Sequence, residues 1–282
     1  MKKMFRWSAL AIAVFIFATM FGCRSTANSQ VSSSAEAKEF RVGMECAYAP
    51  FNWTQSDNSN GAAPVEGGGY AGGYDVAVAQ KIADGLGRKL VIVKTKWDGL
   101  QPAVESGTID AIIAGMSPTA ARKASIDFTD NYYKSELVIV VRKDGPYAKA
   151  ASLKDFSGAR ITGQLNTFHY TVIDQIPGVK KQTAMSDFPT MITALNSGVI
   201  DGYVSERPGA VSAMTSNKNL TYIQFKNGTG FQASDEDIAI AVGLKKGSDL
   251  KDPINKILAG LSETERQEIM DKAVSNQPMV SK

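Results

Sequence analysis

Arg122 closes one of two similar stretches, ESGTIDAIIAGMSPTAAR at 105–122, and Glu206 stands one residue before the end of the other, NSGVIDGYVSER at 196–207. A guanidinium and a carboxylate on facing walls suit a small zwitterion. The cation takes a carboxylate through paired charge-assisted hydrogen bonds, and the acid takes an ammonium. An α-amino acid is a simple molecule with both groups. Taken alone, Arg122 reads equally as a surface helix residue, and Glu206 as a solvated acid paired with Arg207, so the elements that carry them decide.

Those elements alternate. FRVGM, KLVIVK and TIDAIIAG read as strands, separated by helices over DVAVAQKIADGLG, with Val78, Ile82 and Leu86 at helical spacing, and WDGLQPAVESG. Asp75 is the expected N-cap of the first helix. The second half repeats the pattern with FSGARITG, a helix in TAMSDFPTMITALNSG and VIDGYVS. Ser106, Gly107, Ile109 and Asp110 superpose on Ser197, Gly198, Ile200 and Asp201, while Leu100, Ala103 and Val104 fall on Met191, Ala194 and Leu195. The βαβα order predicts two α/β lobes with parallel, doubly wound sheets. Ligands of such sheets sit beyond the carboxyl ends of the strands, which puts Arg122 and Glu206 on opposite sides of one cleft.

Composition limits the partners. The chain has 282 residues, 44% of them hydrophobic, enough for a full core. Its charge of +3 comes from Lys2, Lys3 and Arg6; without them 28 basic residues face 28 acidic ones, and no nucleic-acid partner is implied. Residues 1–22 have a cationic start and an apolar run too short for a comfortable span, so they read as a signal peptide. Cys23 after Gly22 is the expected lipidation site, with ordinary cleavage as the alternative. Residues 23–39 are polar and read as a tether, by which the chain would meet the membrane through the lipid alone. Cys46 is the remaining cysteine, and a Cys23–Cys46 bridge is the alternative to lipid.

YAPF at 48–51, GYDV at 73–76, WDGLQPAVESGTIDAIIAGMSPTAAR at 97–122, IDFTDNYY at 126–133 and GQLNTF at 163–168 resemble the polar amino acid binding proteins of bacterial ABC importers, solute-binding protein family 3. The resemblance runs from Phe40 to the C-terminus. It implies a type II periplasmic-binding-protein fold, an α/β architecture with a ligand cleft and two hinge crossings. Residues 40–134 and 238–282 would form one lobe and 135–237 the other. It further implies that Arg122 grips the ligand carboxylate beside Gly115, Met116 and Ser117, that Gln164, Thr167 and Phe168 form the second-lobe turn facing it, and that Glu206 takes the ammonium. Asn166 stands where the family usually has Gly; Asn tolerates left-handed backbone, which would preserve the turn.

Glu45 falls where the family's basic-amino-acid binders carry an acid, and Tyr48 and Trp97 match its side-chain-sandwiching aromatics. A carboxylate between two ring faces suits a guanidinium, so arginine is expected first, then lysine, ornithine or histidine. Three charged contacts of about 1.5–3 kcal/mol each come close to the roughly 8 kcal/mol of micromolar binding. The expected partners are the amino acid, a permease and its ATPase, with the chain itself a monomer that has no cofactor or metal. Phe51 is expected in the core.

Other motifs are weaker. GGGYAG at 67–72 satisfies G-x-G-x-x-G but follows a loop-like stretch, so it reads as a hairpin leading to the helix at Asp75. His169 is the sole histidine and is expected as a turn-side polar residue near the cleft. Two further functions remain open: a cyclohexadienyl or arogenate dehydratase, which resembles the same fold, and a ligand-sensing module.

Overall fold

The computed structural model describes residues 37–226 and 228–278. The expected signal peptide, Cys23 and most of the tether lie outside the described residues. From Ala37 the chain forms two five-stranded sheets, each flanked by helices, and one small antiparallel sheet.

Strand β1 (Glu39–Met44) opens the first sheet, beginning inside the stretch expected as tether. A small sheet follows from β2 (Ala47–Tyr48), β3 (Asn52–Gln55), β4 (Ala63–Pro64) and β5 (Tyr70–Gly72), paired antiparallel in the order β2-β3-β5-β4. The glycine-rich motif ends in β5, as a hairpin expectation requires. Helix α1 (Tyr74–Gly85) starts from Gly73, so Asp75 is not its cap. Asp75 instead lies fully buried, accepting hydrogen bonds from Tyr132 Oη at 2.7 Å and Asn52 Nδ2 at 2.8 Å. Next come β6 (Lys89–Lys94), α2 (Trp97–Ser106), β7 (Ala111–Ile112), the short α3 (Ala120–Lys123) and β8 (Ile126–Lys134).

The second sheet is built from β9 (Leu137–Arg142), β10 (Arg160–Thr162), α4 (Phe168–Thr171), β11 (Lys180–Lys181), α5 (Phe188–Asn196), β12 (Gly202–Glu206), α6 (Arg207–Ser216) and β13 (Leu220–Gln224). Strand β14 (Ala239–Lys245) then returns to the first sheet, followed by α7 (Lys251–Ala259) and α8 (Glu263–Asn276), which pack on α1.

Strand orders are β6-β1-β7-β14-β8 and β11-β10-β12-β9-β13. The purely parallel sheets expected from sequence are therefore mixed: β14 runs antiparallel to β7 and β8, and β9 runs antiparallel to β12 and β13. The physical reason is the crossing itself. A strand that leaves one sheet for the other, or comes back, enters without a helical crossover and so lies antiparallel to its neighbours. At the crossing, Ser135 N–H donates to Ile238 O at 3.0 Å, which ties the outgoing and returning chains together.

One large cluster holds Phe40, Val42, Phe51, Tyr74, Ile82, Leu100, Ile112 and Tyr132 behind the first sheet. A second holds Ile139, Val141, Phe156, Ile161, Ile173 and Val204 around the other. Phe51 is fully buried, edge-on to Tyr74 and Tyr133.

Candidate functional site

The expected site residues sit where their strands end. Glu45 follows β1, Gly115–Ser117 follow β7, Gln164–Phe168 connect β10 to α4, and Glu206 is the last residue of β12. Around a gap of about 10 Å³ the structure brings together Tyr48, Trp97, Gly115, Ser117, Arg122, Gln164, Thr167, Phe168 and His169. That space is about one water's worth, so an amino acid enters only when the walls part.

Arg122 is placed by Thr119, which caps α3 and accepts its N–H. The guanidinium donates to Ser117 O at 2.9 Å and to Asn166 O at 3.1 Å, and lies 5.1 Å over the Trp97 ring. Its partners are thus carbonyls and an aromatic face, with no acid among them. Burial pushes it down to about 10, the behaviour of a cation that lacks a counter-charge. Asn166 holds φ at 56°, in the left-handed region expected for it. Its side chain adds a bond to Asp98 at 3.0 Å, and its carbonyl also accepts from Trp97 Nε1 at 3.4 Å.

Glu206, 2% exposed, accepts from Tyr48 Oη at 2.7 Å through Oε2 and does not pair with Arg207. Burial pushes it up to about 7 against the opposing pull of the Tyr48 hydroxyl. Glu45 is half-buried and receives Gln164 Nε2 at 3.1 Å on both oxygens. It too rises to about 7, first through burial, then through the nearby charges of Asp187 and Asp98. Three acids therefore gather at this end of the cleft, where a cation would relieve their repulsion.

Some expected contacts take another form. Gly115 N–H is already given to Tyr132 Oη at 3.2 Å, so it faces the core. Met116 turns into the first-lobe core, and its carbonyl accepts from Ala241 N at 3.1 Å. Thr167 is buried and donates its hydroxyl to Gln164 O at 2.7 Å, tightening the turn. Tyr48 stacks on Phe188, with centroids 4.1 Å apart and planes 8° from parallel. The two aromatic faces expected to sandwich a side chain are thus engaged, Tyr48 with Phe188 and Trp97 with Arg122.

Sequence reasoning did not place Asp98, Asp187 or Phe188 in the site, and it expected His169 as a polar residue on the turn near the cleft, where it lies buried against the gap. His169 carried one signal: it lies two residues after Thr167, in a turn already aimed at the cleft. Cys46 is buried at φ 56°, with no disulfide partner among the described residues, and its thiol is pushed up to about 12 by burial. A larger cavity, about 460 Å³, lies between Trp53 and α5–α6, but no acidic or basic side chain lines it.

Known proteins share this architecture. A crystal structure of an amino acid ABC transporter substrate-binding protein from Streptococcus pneumoniae, bound to L-arginine, matches with a TM-score of 0.74 at 29% identity, over 84% of this chain and 94% of its own. Two sheet-based lobes joined by paired crossings are the type II periplasmic-binding-protein fold. Residues 40–276 match the profile of the bacterial extracellular solute-binding proteins, family 3, and the chain belongs to that family. The arginine-binding extracellular protein ArtP of Bacillus subtilis is 27% identical over 96% of this chain and 97% of its own. A probable histidine-binding protein of Campylobacter jejuni is 29% identical over 75% and 78%.

Proposed function

We propose that this protein is the substrate-binding component of an ABC importer for a basic L-amino acid, arginine before lysine, ornithine or histidine. One observation carries the reading: a guanidinium with no acidic partner among the described residues lines a gap whose Tyr48 and His169 border a buried carboxylate, Glu206, pushed up to about 7. An α-carboxylate would replace the carbonyl contacts of Arg122, and an α-ammonium would ionise Glu206. At the far end Glu45, beside Asp98 and Asp187, would take the side-chain cation. The arginine ligand of the Streptococcus protein and the name of ArtP support the same choice.

The chain acts as a monomer outside the cytoplasmic membrane, anchored by lipid on Cys23. Residues 40–134 with 238–282 and residues 135–237 close over the ligand and present it to a permease with its ATPase. Among the described residues no helix is long and apolar enough to cross a membrane.

A thermal-shift panel of the twenty L-amino acids with ornithine and citrulline tests this on protein starting at Ser25. Arginine at about a hundred times its Kd should stabilise by roughly 2.7 kcal/mol, several degrees in a chain of this size. Glu45→Gln should lose most of that shift. A large shift with glutamine or an apolar amino acid would remove Glu45 as the side-chain reader. No shift with any ligand would remove the amino-acid assignment, and arogenate or prephenate turnover would then be assayed.

A further inference from the structure

The gap has one polar side chain whose presence the fold does not explain. His169 is 9% exposed, and among the described residues neither ring nitrogen has a hydrogen-bond partner: Nδ1 is buried, and Nε2 is the nitrogen on the Glu206 side. Its Nε2 stands 3.9 Å from Glu206 Oε1, beyond hydrogen-bond reach. An edge-on contact with Phe188, at 6.2 Å and 80°, holds the ring. An apolar side chain would fill this position without the penalty of a buried unpaired nitrogen, about 1–3 kcal/mol. A polar group left unpaired at a ligand gap is therefore a reason to look for the missing partner in the ligand.

We propose that His169 is a ligand-contacting residue, a neutral imidazole that accepts a hydrogen bond from the ligand's α-ammonium alongside Glu206, so that the site selects primary α-amines. The inference rests on the amino-acid reading above. An ammonium carries three donors, and one carboxylate oxygen cannot take them all. Tyr48 already occupies Oε2 of Glu206, which leaves Oε1, the oxygen nearest His169. Two acceptors 3.9 Å apart can share one nitrogen at about 2.9 Å from each. For Nε2 to accept, the imidazole must be neutral with its proton on Nδ1. Burial, with the charge of Arg122 adding to it, pushes it down to about 4. Glu206 supplies the charge and His169 an additional acceptor.

The experiment is calorimetric titration at pH 8 of wild type, His169→Gln and His169→Leu, with L-arginine and with its 2-hydroxy counterpart, which lacks the ammonium. His169→Leu should weaken L-arginine about tenfold or more, the loss of one hydrogen bond to a charged group. His169→Gln, which keeps an acceptor, should recover most of that, and the 2-hydroxy acid should be nearly indifferent to both changes. Equal losses for the two ligands, equal losses in the two variants, or no loss in His169→Leu would make His169 a packing residue and overturn the proposal. Circular dichroism and melting of each variant confirm folding. If wild type binds a different L-amino acid, the same comparison is made with that ligand and its 2-hydroxy acid. If wild type binds none, the amino-acid reading fails, visibly before any variant is compared, and this inference falls with it.

Discussion

Asp110 in the first lobe and Asp201 in the second make the same contacts. Each gives its N–H to the carbonyl of a strand arginine, Arg41 or Arg160, at 2.8 Å, and accepts that arginine's N–H on its carboxylate at 2.8 and 2.9 Å. The helix ends before them match as well: Thr108 and Ile109 bond Ala103 O, as Val199 and Ile200 bond Ala194 O. Gly107 and Gly198 take the left-handed turn at φ 80° and 76°. Beyond these shared junctions the lobes part company. The first ends on a guanidinium bonded to carbonyls, the second on a carboxylate buried under Tyr48. The repeated scaffold fixes where the strand ends lie, which leaves the residues just past them able to take opposite charges.

If that opposition is the binding principle, removing either charge should have the largest effect. Arg122→Met and Glu206→Gln are each expected to weaken arginine by about a hundredfold or more, since each leaves a ligand charge buried and unpaired at a cost of about 3–5 kcal/mol. Calorimetry measures it, and a loss confined to one lobe's variant would break the symmetry.

The pH dependence should show the acids at work. Glu206 and Glu45 both stand at about 7 in this closed form and must ionise to hold a cationic ligand. Binding then releases protons below pH 7, and each group should cost about tenfold in affinity per pH unit. From pH 8 to 6 the arginine Kd should rise by about ten- to a hundredfold. Stability without ligand should run the other way. Glu45, Glu206 and Asp75, the last at about 6, have folded values above their ordinary 4.5 and 3.8, so the folded form binds more protons as pH falls through 7 and gains stability. His169, at about 4 against 6.5, opposes them with one proton below pH 6.5. Melting curves from pH 8 to 5.5, with and without arginine, should therefore converge as the pH falls.

A lobe-matched pair comes next. Asp201 also takes Arg160 Nε at 3.1 Å and Nη2 at 2.7 Å, whereas Arg41 turns its side chain to Glu66 at 2.9 Å and to Thr108 O. Asp201→Ala should thus cost more than Asp110→Ala, about 2 against 1 kcal/mol, or several degrees of Tm against two or three. Equal costs would mean that the arginine side chain adds nothing to the junction.

The repeat was legible because helix-glycine-strand junctions are local and depend on neighbours in sequence. The positions of Arg122 and Glu206 past the repeated junctions could be read from it, and the left-handed backbone of Asn166 from the resemblance together with its residue type. Strand direction was less accessible, since β9 and β14 owe theirs to long-range pairing after each crossing. The hydrogen bond from Gly115 to Tyr132, the stacking of Phe188 on Tyr48 and the approach of His169 to Glu206 join residues far apart in the chain. Spacing alone does not show them. The polar amides expected to serve a ligand were legible as positions; their commitments to the core were not.

Tyr48 gives the finest comparison, because a glycine from each lobe lies against it. A Cβ on Gly115 would stand 3.0 Å from its ring, and a Cβ on Gly209 would stand 3.1 Å from the ring and 3.0 Å from Ser205 Oγ. The two positions differ in backbone. Gly115 sits at φ 63°, so alanine there is strained by about 1 kcal/mol whatever Tyr48 does. Gly209 lies inside α6, where alanine improves helix propensity by up to about 1 kcal/mol. Gly115→Ala should therefore lower both the melting temperature and the affinity. Gly209→Ala should hold or raise the ligand-free melting temperature by a degree or two while weakening arginine three- to fivefold, because the added methyl opposes the seating of Tyr48 as the lobes close. An unchanged arginine Kd in Gly209→Ala would show that Tyr48 gives way to the added methyl at no cost to the bound form.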